Sequence, residues 1–510
     1  MVVIRSLHAY KKQLGQALPI GIAAILFTTI LTLTLFNTGQ VTSKKMRVTN
    51  AADAATYSGL VWQARALNLQ AYTNRAMVAN QVTIAQIVSL VSWSQYLEIL
   101  ARNLNNTIGW FPPVKPWTQT IYTITKNVKS FILKLSNVTV PIIDTLLGVL
   151  SASQEAVHYA TYATTQEVVR EVIRRNDPTF ELTTLGIGGL AKNAYDWEQL
   201  TDKYDDGTNS GWGWGNNNNK NGLLRKASVI DNSRDGFTRS RGWQFGLPSL
   251  GIVKFKIVKE GETRLLREHN DDGSEWEWKG KDDFSVHTKY WGCSWRGCGW
   301  RRSELPVGWG AAYVSTTGND LDCQGNSGGW GSWWGSDCPQ WGRQNRRSER
   351  LADSEIEKIN GNYSGVRDYR DIADLTDNNK DPRLPLTIEV RTGGGNVRTS
   401  TKIQTGSGNT ARGIGSSVEA KQTRNGIGEG MFRVNDGFAG AEISAVSNGE
   451  VYFRRPVRRA DGKGEFGNLF NPYWDVHLTD PRNARIAAWA TKGLINWGDA
   501  GGAIGGAIGN

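Results

Sequence analysis

The sequence has few of the residue patterns that mark a catalytic or metal site. Its five histidines are scattered and form no H-x-x-x-H or H-E-x-x-H pattern, the spacing by which a helix presents two zinc ligands. The glycines at 393–395 lack the lysine-serine pair of a phosphate-binding loop. The sequence therefore predicts a protein that is not an enzyme and binds no cofactor or metal.

Cysteine is also scarce, and the first half of the chain has none. The four cysteines are Cys293, Cys298, Cys323 and Cys338. An even, clustered set is typical of disulfides formed in an oxidising compartment. The spacing favours sequential pairs, 293 with 298 and 323 with 338, because both loops are short. Structural zinc is the alternative, although its sites usually use tighter pairs than the second one here.

Proline is low at 14 residues, whereas glycine at 58 and tryptophan at 21 are high. Hydrophobic residues make up 39% of the 510 residues, and the formal net charge is +11. Such a charge permits contact with nucleic acid, anionic lipid or acidic polymers. No nucleic-acid-binding motif accompanies it, so we expect no nucleic-acid partner.

One long apolar run is present near the start of the chain. Residues 18–36 carry no charge, and about 20 helical residues cross the hydrocarbon core of a bilayer. The run is longer than the core of a cleaved signal peptide and ends without an A-x-A site. Basic residues flank both ends almost equally, so charge alone does not orient it. The sequence predicts a retained single-pass span, and the cysteine cluster favours export of the C-terminal part.

The spacing of apolar residues divides the rest of the chain into helical and strand-like parts. Helical spacing of apolar residues predicts one or two helices over about 40–108 and a second helical region over about 117–176, joined at a proline-rich turn and interrupted at Pro141. Strand-like runs follow, at 252–258 and 386–391. We therefore predict an α+β fold. Its parts are a cytoplasmic start and transmembrane helix (1–40), a helical stalk or hairpin (41–176), a largely β, loop-rich domain (177–497) and a flexible glycine-rich tail (498–510).

Ten tryptophans lie between Trp276 and Trp341, among glycines, arginines and all four cysteines. In one interpretation the indoles replace a poor aliphatic core. In the other they form an aromatic platform that binds a sugar or a protein. The candidates for such a platform are Trp295, Trp300, Trp333 and Trp334.

Two motifs flank the apolar run. The chain has Gly-Gln-Ala-Leu at 15–18 and the sequence NAADAA after the run, formed by Asn50, Ala51, Ala52, Asp53, Ala54 and Ala55. Together they resemble the N-terminal region of TadE/TadG-like proteins of the Tad (Flp) pilus, and residues 71–80 and 471–474 are similar to TadG-like members. The sequence departs from the family at Ile20, where prepilin-type substrates carry glutamate. It also lacks the D-x-S-x-S of a von Willebrand A metal site.

The resemblance implies a structural or assembly component of a Tad-type pilus with a role in adherence. It would be anchored in the bacterial inner membrane with its C-terminal domain in the periplasm. Its partners would be the lipid bilayer and other membrane-anchored Tad proteins, and the NAADAA residues would form the assembly interface. The alternative is an envelope binding module that recognises carbohydrate or a protein through its Trp-rich region.

Overall fold

A computed structural model describes residues 17–204, 219–246, 253–270, 273–294, 297–321, 344–373, 382–397, 442–457, 459–460, 462, 465–483 and 486. The chain combines helices with sheets, as the sequence predicts. The low-complexity segment 207–222 lies largely outside the described residues, and the tail 498–510 lies entirely outside them.

A long helical hairpin forms the first part of the fold. Helix α1 (Ala17–Thr107) is continuous from the apolar run onward, and α2 (Lys115–Asn176) packs against it in return. The turn between them contains the prolines at 112 and 113, and Pro116 stands in the first turn of α2, where its missing N–H costs nothing. The predicted hairpin is thus present.

The predicted interruption at Pro141 is wrong, because α2 continues through it. A proline inside a helix costs about 3 kcal/mol. The neighbouring side chains Val140, Ile143 and Leu147 are buried against the rest of the chain. Burial of each large aliphatic side chain contributes roughly 1.5–3 kcal/mol, which outweighs the cost of one proline.

Shorter helices and strands follow the hairpin. They are β1 (Glu181–Leu182), α3 (Thr184–Leu200), β2 (Thr201–Tyr204), α4 (Asn219–Asn232), α5 (Gly236–Arg239), β3 (Trp243–Gly246), β4 (Val253–Asn270), β5 (Gly273–Ser294), β6 (Gly297–Ser315), α6 (Arg346–Ser354), β7 (Glu357–Lys358), β8 (Tyr369–Ile372), β9 (Leu384–Gly393), a 3-10 turn (Gly394–Asn396), β10 (Glu442–Phe453) and β11 (Trp474–Thr479). Residues 253–258 of the first predicted strand lie within β4, and the second predicted strand, 386–391, lies within β9.

In the described part of the chain the strands form three sheets. The largest has the order β3-β4-β5-β6-β7 and is antiparallel except for the parallel pair β6–β7. The second has the antiparallel order β1-β9-β10-β11. The third pairs β2 with β8.

The helical hairpin packs along the sheets of this β-rich region and does not form a separate stalk. Residues of α1 from Val48 to Leu67 share a core with β9, β10 and β11, and residues from Met77 to Val91 share a second core with β5 and β6. The α1 face that a stalk would leave for a partner is buried here against the chain's own sheets. The predicted boundary at 176 therefore does not separate two cores.

Candidate anchor helix and basic aromatic surface

The apolar run at the start of α1 is exposed, which is the first evidence for a membrane anchor. Its large side chains project from the fold, with Leu18 and Phe27 about 70% exposed, at 74% and 69%. The most apolar window of α1 is not buried within the chain at all, and the helix is long and apolar enough to cross a membrane. By length and composition α2 passes the same test, although part of its window is buried. An apolar N-terminal helix of this kind fits a membrane span or a signal sequence.

The threonines of the run have their hydroxyls satisfied within the helix. Thr28 Oγ1 donates to the Ala24 carbonyl at 2.9 Å, and Thr32 Oγ1 donates to the Thr28 carbonyl at 2.7 Å. In hydrocarbon every polar group must be paired internally. These threonines therefore do not prevent the helix from lying in lipid.

The point at which the helix enters the fold is marked by charges. Lys44 Nζ lies 2.9 Å and Arg47 Nη2 3.2 Å from Asp177 Oδ2, just beyond the end of α2. Burial alone would raise the pKa of Asp177, but hydrogen bonds from Lys44 and Thr179 outweigh it and lower the pKa to about 2. The carboxylate therefore stays ionised and ties the base of α1 to the end of α2.

The NAADAA segment lies on α1 immediately after this point. Ala51, Ala52 and Ala55 are fully buried in the core that α1 shares with β9 and β10. Their small side chains let the helix approach the chain's own sheet, so these three alanines are not available to a partner. This corrects the expected assembly interface. Asn50 is exposed, and Asp53 and Ala54 are half-buried.

The tryptophans divide between core and surface. Trp276 and Trp278 are buried, and Trp278 Nε1 donates to Gln81 Oε1 at 3.0 Å. Trp291 and Trp300 are exposed by 46% and 45% near the end of the β5–β6 hairpin. Of the predicted platform residues, Trp300 is therefore on the surface, whereas Trp295, Trp333 and Trp334 lie outside the described residues.

Two of the four cysteines lie at the same hairpin end. Cys298 is disulfide-bonded, and the strand register places Cys293 directly opposite it. Cys323 and Cys338 lie outside the described residues. The oxidation of all four cysteines stays a prediction.

A row of cations crosses three strands beside these tryptophans. In the register of the sheet, Lys254 of β4 is opposite Lys289 of β5, and Lys289 is opposite Arg302 of β6. Because side chains alternate along a strand, Trp291 and Trp300 lie on the same face, two residues from Lys289 and Arg302. We call these five residues, together with Lys256, the basic aromatic surface. Like charges directly opposite each other destabilise a sheet.

Among the described residues, aromatic rings offset that repulsion. The Nζ atoms of Lys289 and Lys254 lie 5.1 and 5.8 Å from the ring centroid of Trp300, within the range of cation–π attraction. Trp300 in turn packs edge-on against Trp291, with ring centroids 5.6 Å apart. In the described part of the chain none of Lys254, Lys289 and Arg302 forms an ion pair with a carboxylate. A cleft of about 800 Å³ lies over this row and is also lined by His287 and Gln344.

Buried ionisable groups elsewhere do not make a second site. Burial lowers the pKa of Lys226 to about 7, and its Nζ donates to the Arg367 carbonyl at 2.9 Å. Burial raises the pKa of Asp371, whose Oδ1 accepts from the Leu469 amide at 2.8 Å. Both side chains are enclosed, so a substrate cannot reach them. Among the described residues no group of three His, Cys, Asp or Glu side chains is placed to hold a metal ion.

Comparison with known proteins does not assign the chain to a family. No protein-family model matches it, and no curated protein or solved structure is significantly similar to it. The features that bear on function are the anchor helix, the basic aromatic surface and the resemblance of the N-terminal motifs.

The basic aromatic surface is the part of the site that sequence patterns miss. Its cations come from three strands, and lysines at 254 and 289 do not stand out among 59 basic residues. A tryptophan two residues from a basic residue, as at 289 and 291 and at 300 and 302, is a local signal. It places both side chains on one face if the segment is a strand.

Proposed function

We propose that the protein is a membrane-anchored structural component of the bacterial envelope, an assembly factor or pilin-like subunit of a Tad-type pilus. It acts without catalysis, held in the inner membrane by residues 18–36 with its folded part in the periplasm. The observation that carries the proposal is the exposed apolar segment of α1. The same helix continues without a break into the part of α1 that packs against the sheets. The motifs at 15–18 and 50–55 support the pilus class by resemblance.

A continuous helix suits such a role mechanically. Between Phe36 and Lys44 there is no linker, so the folded part is held at a fixed distance of about 12 Å from the end of the apolar run, at 1.5 Å per residue. The NAADAA alanines then fix the helix to the sheet. Partners in the membrane would meet the apolar run, and partners outside it would meet the exposed side of the hairpin.

Deleting the gene is expected to reduce pilus display and surface attachment while leaving growth in liquid unchanged. Restoring the full-length chain should restore both properties, and restoring a chain that lacks residues 1–36 should not, because the fold would no longer be anchored. Electron microscopy and an attachment assay measure the effect. Normal pili and normal attachment in the deletion strain would refute the pilus role.

A second candidate function is favoured by the basic aromatic surface. Within the described residues, Lys254, Lys289 and Arg302 form no ion pair with a carboxylate and lie beside two exposed indoles. Such a row suits a polymer that carries both sugar rings and carboxylates or phosphates. The rings would stack on Trp291 and Trp300, and the anions would relieve the repulsion between Lys254, Lys289 and Arg302. On this account the protein would bind an acidic carbohydrate of the envelope.

Arg302→Ala is expected to weaken binding of a polyuronate about tenfold, since a hydrogen bond to a charged group contributes roughly 1.5 kcal/mol. Arg301→Ala is the matched control, because this exposed neighbour faces the other side of the strand. A neutral dextran of equal length controls for stacking alone. Titration calorimetry of the wild-type protein and both variants measures the effect. Equal losses in the two variants, or no binding by the wild-type protein, would rule out this surface.

A further inference from the structure

The outward side of α2 carries an apolar seam with a seven-residue repeat. Steps of four and three residues alternate from Trp117 to Ala163, and every position they reach is exposed. Only Thr145 among them is polar. The exposed fractions are high for large side chains, at 74% for Trp117, 67% for Phe131 and 63% for Ile142. We call these positions the α2 seam.

The seam lies opposite the side of α2 that packs on the fold. Val140, Leu147, Gln154 and Thr161 are spaced by seven residues and are all buried. In heptad terms they occupy position f, whereas the seam occupies a and d, on the far side of the helix. The seam is therefore not part of either core. In the part of the chain that the structure describes, no element covers it.

The period of the pattern identifies the kind of partner. A repeat of 3.5 residues keeps a narrow apolar stripe facing a second helix when the two supercoil, whereas a free amphipathic helix follows 3.6 residues per turn. A helix that lies on a lipid surface has a broad apolar face and many basic residues on its polar side. The α2 seam is narrow and stays in register over more than six heptads, so it suits another helix.

A second copy of this chain fits the seam. At the flanking e and g positions between Trp117 and Ala163 only Lys134 and Glu155 are charged, so two copies would meet no row of like charges. The seam is about 70 Å long at 1.5 Å per residue. If each large seam side chain contributes on the order of 100 Å², two copies bury about 2,000 Å², as much as stable protein complexes bury.

We propose that the protein self-associates through the α2 seam as a two-stranded coiled coil. Both copies would be anchored at the same end of α1, so their α2 helices run parallel and like positions meet in layers. The parallel direction rests on the proposed membrane anchor, whereas the pairing itself does not. Thr145 at a d position then faces Thr145 of the second copy.

The test compares two double variants of the full-length chain in detergent. Leu135→Glu with Ile142→Glu places two charges in the seam. Thr123→Glu with Ser130→Glu places two charges, also seven residues apart, at exposed positions on another side of the helix. We expect the wild-type protein and the control to have twice the chain mass of 56.3 kDa by sedimentation equilibrium. We expect the seam variant to have the mass of one chain and the helical content of the wild-type protein by circular dichroism.

Cysteine cross-linking in native membranes tests the same contact without detergent. Val138→Cys should form a cross-linked dimer under oxidation, and Ser130→Cys should form at least tenfold less. A wild-type protein of single-chain mass, or a seam variant that stays dimeric, would overturn the proposal. So would a monomeric seam variant that has lost helical content, because the chain itself would then cover the seam. A seam variant that stays dimeric and loses only its binding to lipid vesicles would also overturn it. A dimeric wild-type protein together with normal pili in the deletion strain would refute the pilus role and leave the seam intact.

Discussion

Asp282→Ala is expected to destabilise the fold by about 3–5 kcal/mol, the effect of removing one partner of a buried ion pair. Asp282 is fully buried, and its carboxylate accepts from Lys259 Nζ at 2.7 Å and Arg241 Nη2 at 2.9 Å. It also accepts from Ser92 Oγ of α1 at 2.7 Å. The substitution would leave two nearly buried cations without a counter-charge and detach α1 from the largest sheet. Urea unfolding of the soluble part of the chain measures the change.

The control is Asp480→Ala at an exposed pair. Arg482 and Asp480 lie 3.2 Å apart with 81% and 62% of their side chains exposed, and such pairs contribute little to stability. We expect the free energy of unfolding of this variant to match that of the wild-type protein. Similar losses in the two variants would contradict the account of Asp282 as the charge that holds α1 to the sheet.

The Asp282 effect should depend on pH. Burial alone would raise the pKa of Asp282, but Lys259 and Arg241 outweigh it and lower the pKa. A lowered folded-state pKa means that the stabilisation is present above the unfolded value of about 4 and is lost as pH falls toward the folded value. The difference between the wild-type protein and Asp282→Ala should therefore shrink below pH 4.

Gly189→Ala is expected to destabilise the fold by about 1–3 kcal/mol, the range for overpacking. A Cβ at Gly189 would lie 1.9 Å from the Thr387 carbonyl oxygen of β9. The backbones of α3 and β9 are in direct contact at this point. A rotamer change therefore cannot relieve the clash, because the atom in the way belongs to the backbone. The adjacent Gly188 has nothing within 4 Å of its own Cβ position.

Gly188→Ala is therefore a matched control that should change stability in the other direction. Alanine is favoured over glycine in a helix by about 1 kcal/mol, and at Gly188 nothing opposes that gain. Thermal unfolding of the two variants side by side gives the sign of each effect. Equal stability of Gly189→Ala and Gly188→Ala would contradict the close approach of α3 to β9 at Gly189.

Local patterns in the sequence predict the two long helices well, but not α3 to α6, which lie in the region predicted as largely β. The apolar run, the hairpin and the proline turn follow from runs of neighbouring residues, so the ends of α1 and α2 lie close to the expected positions. The predicted interruption at Pro141 is wrong because the local cost of the proline is outweighed by burial of Val140 and Leu147, which the sequence alone does not show.

Contacts between distant residues could not be predicted in the same way. The NAADAA alanines permit close approach by any neighbour, and a sequence does not say whether that neighbour is a partner or the chain's own β10. The row of Lys254, Lys289 and Arg302 depends on the register of two strand pairs. Trp278 and Trp291 belong to the same strand, yet only Trp278 lies where α1 covers the sheet.

The measurement that tests the central claim most directly is extraction of membranes with alkaline carbonate, followed by sequencing of the mature N-terminus. The full chain should remain in the pellet with residues 18–36 intact, and Thr28→Ala with Thr32→Ala should behave identically because both hydroxyls bond within the helix. Leu26→Arg with Ile30→Arg should release the protein, since each arginine costs roughly 2.5–3.5 kcal/mol at the centre of a span. A soluble protein, or one whose mature form begins after Phe36, would contradict the anchored account.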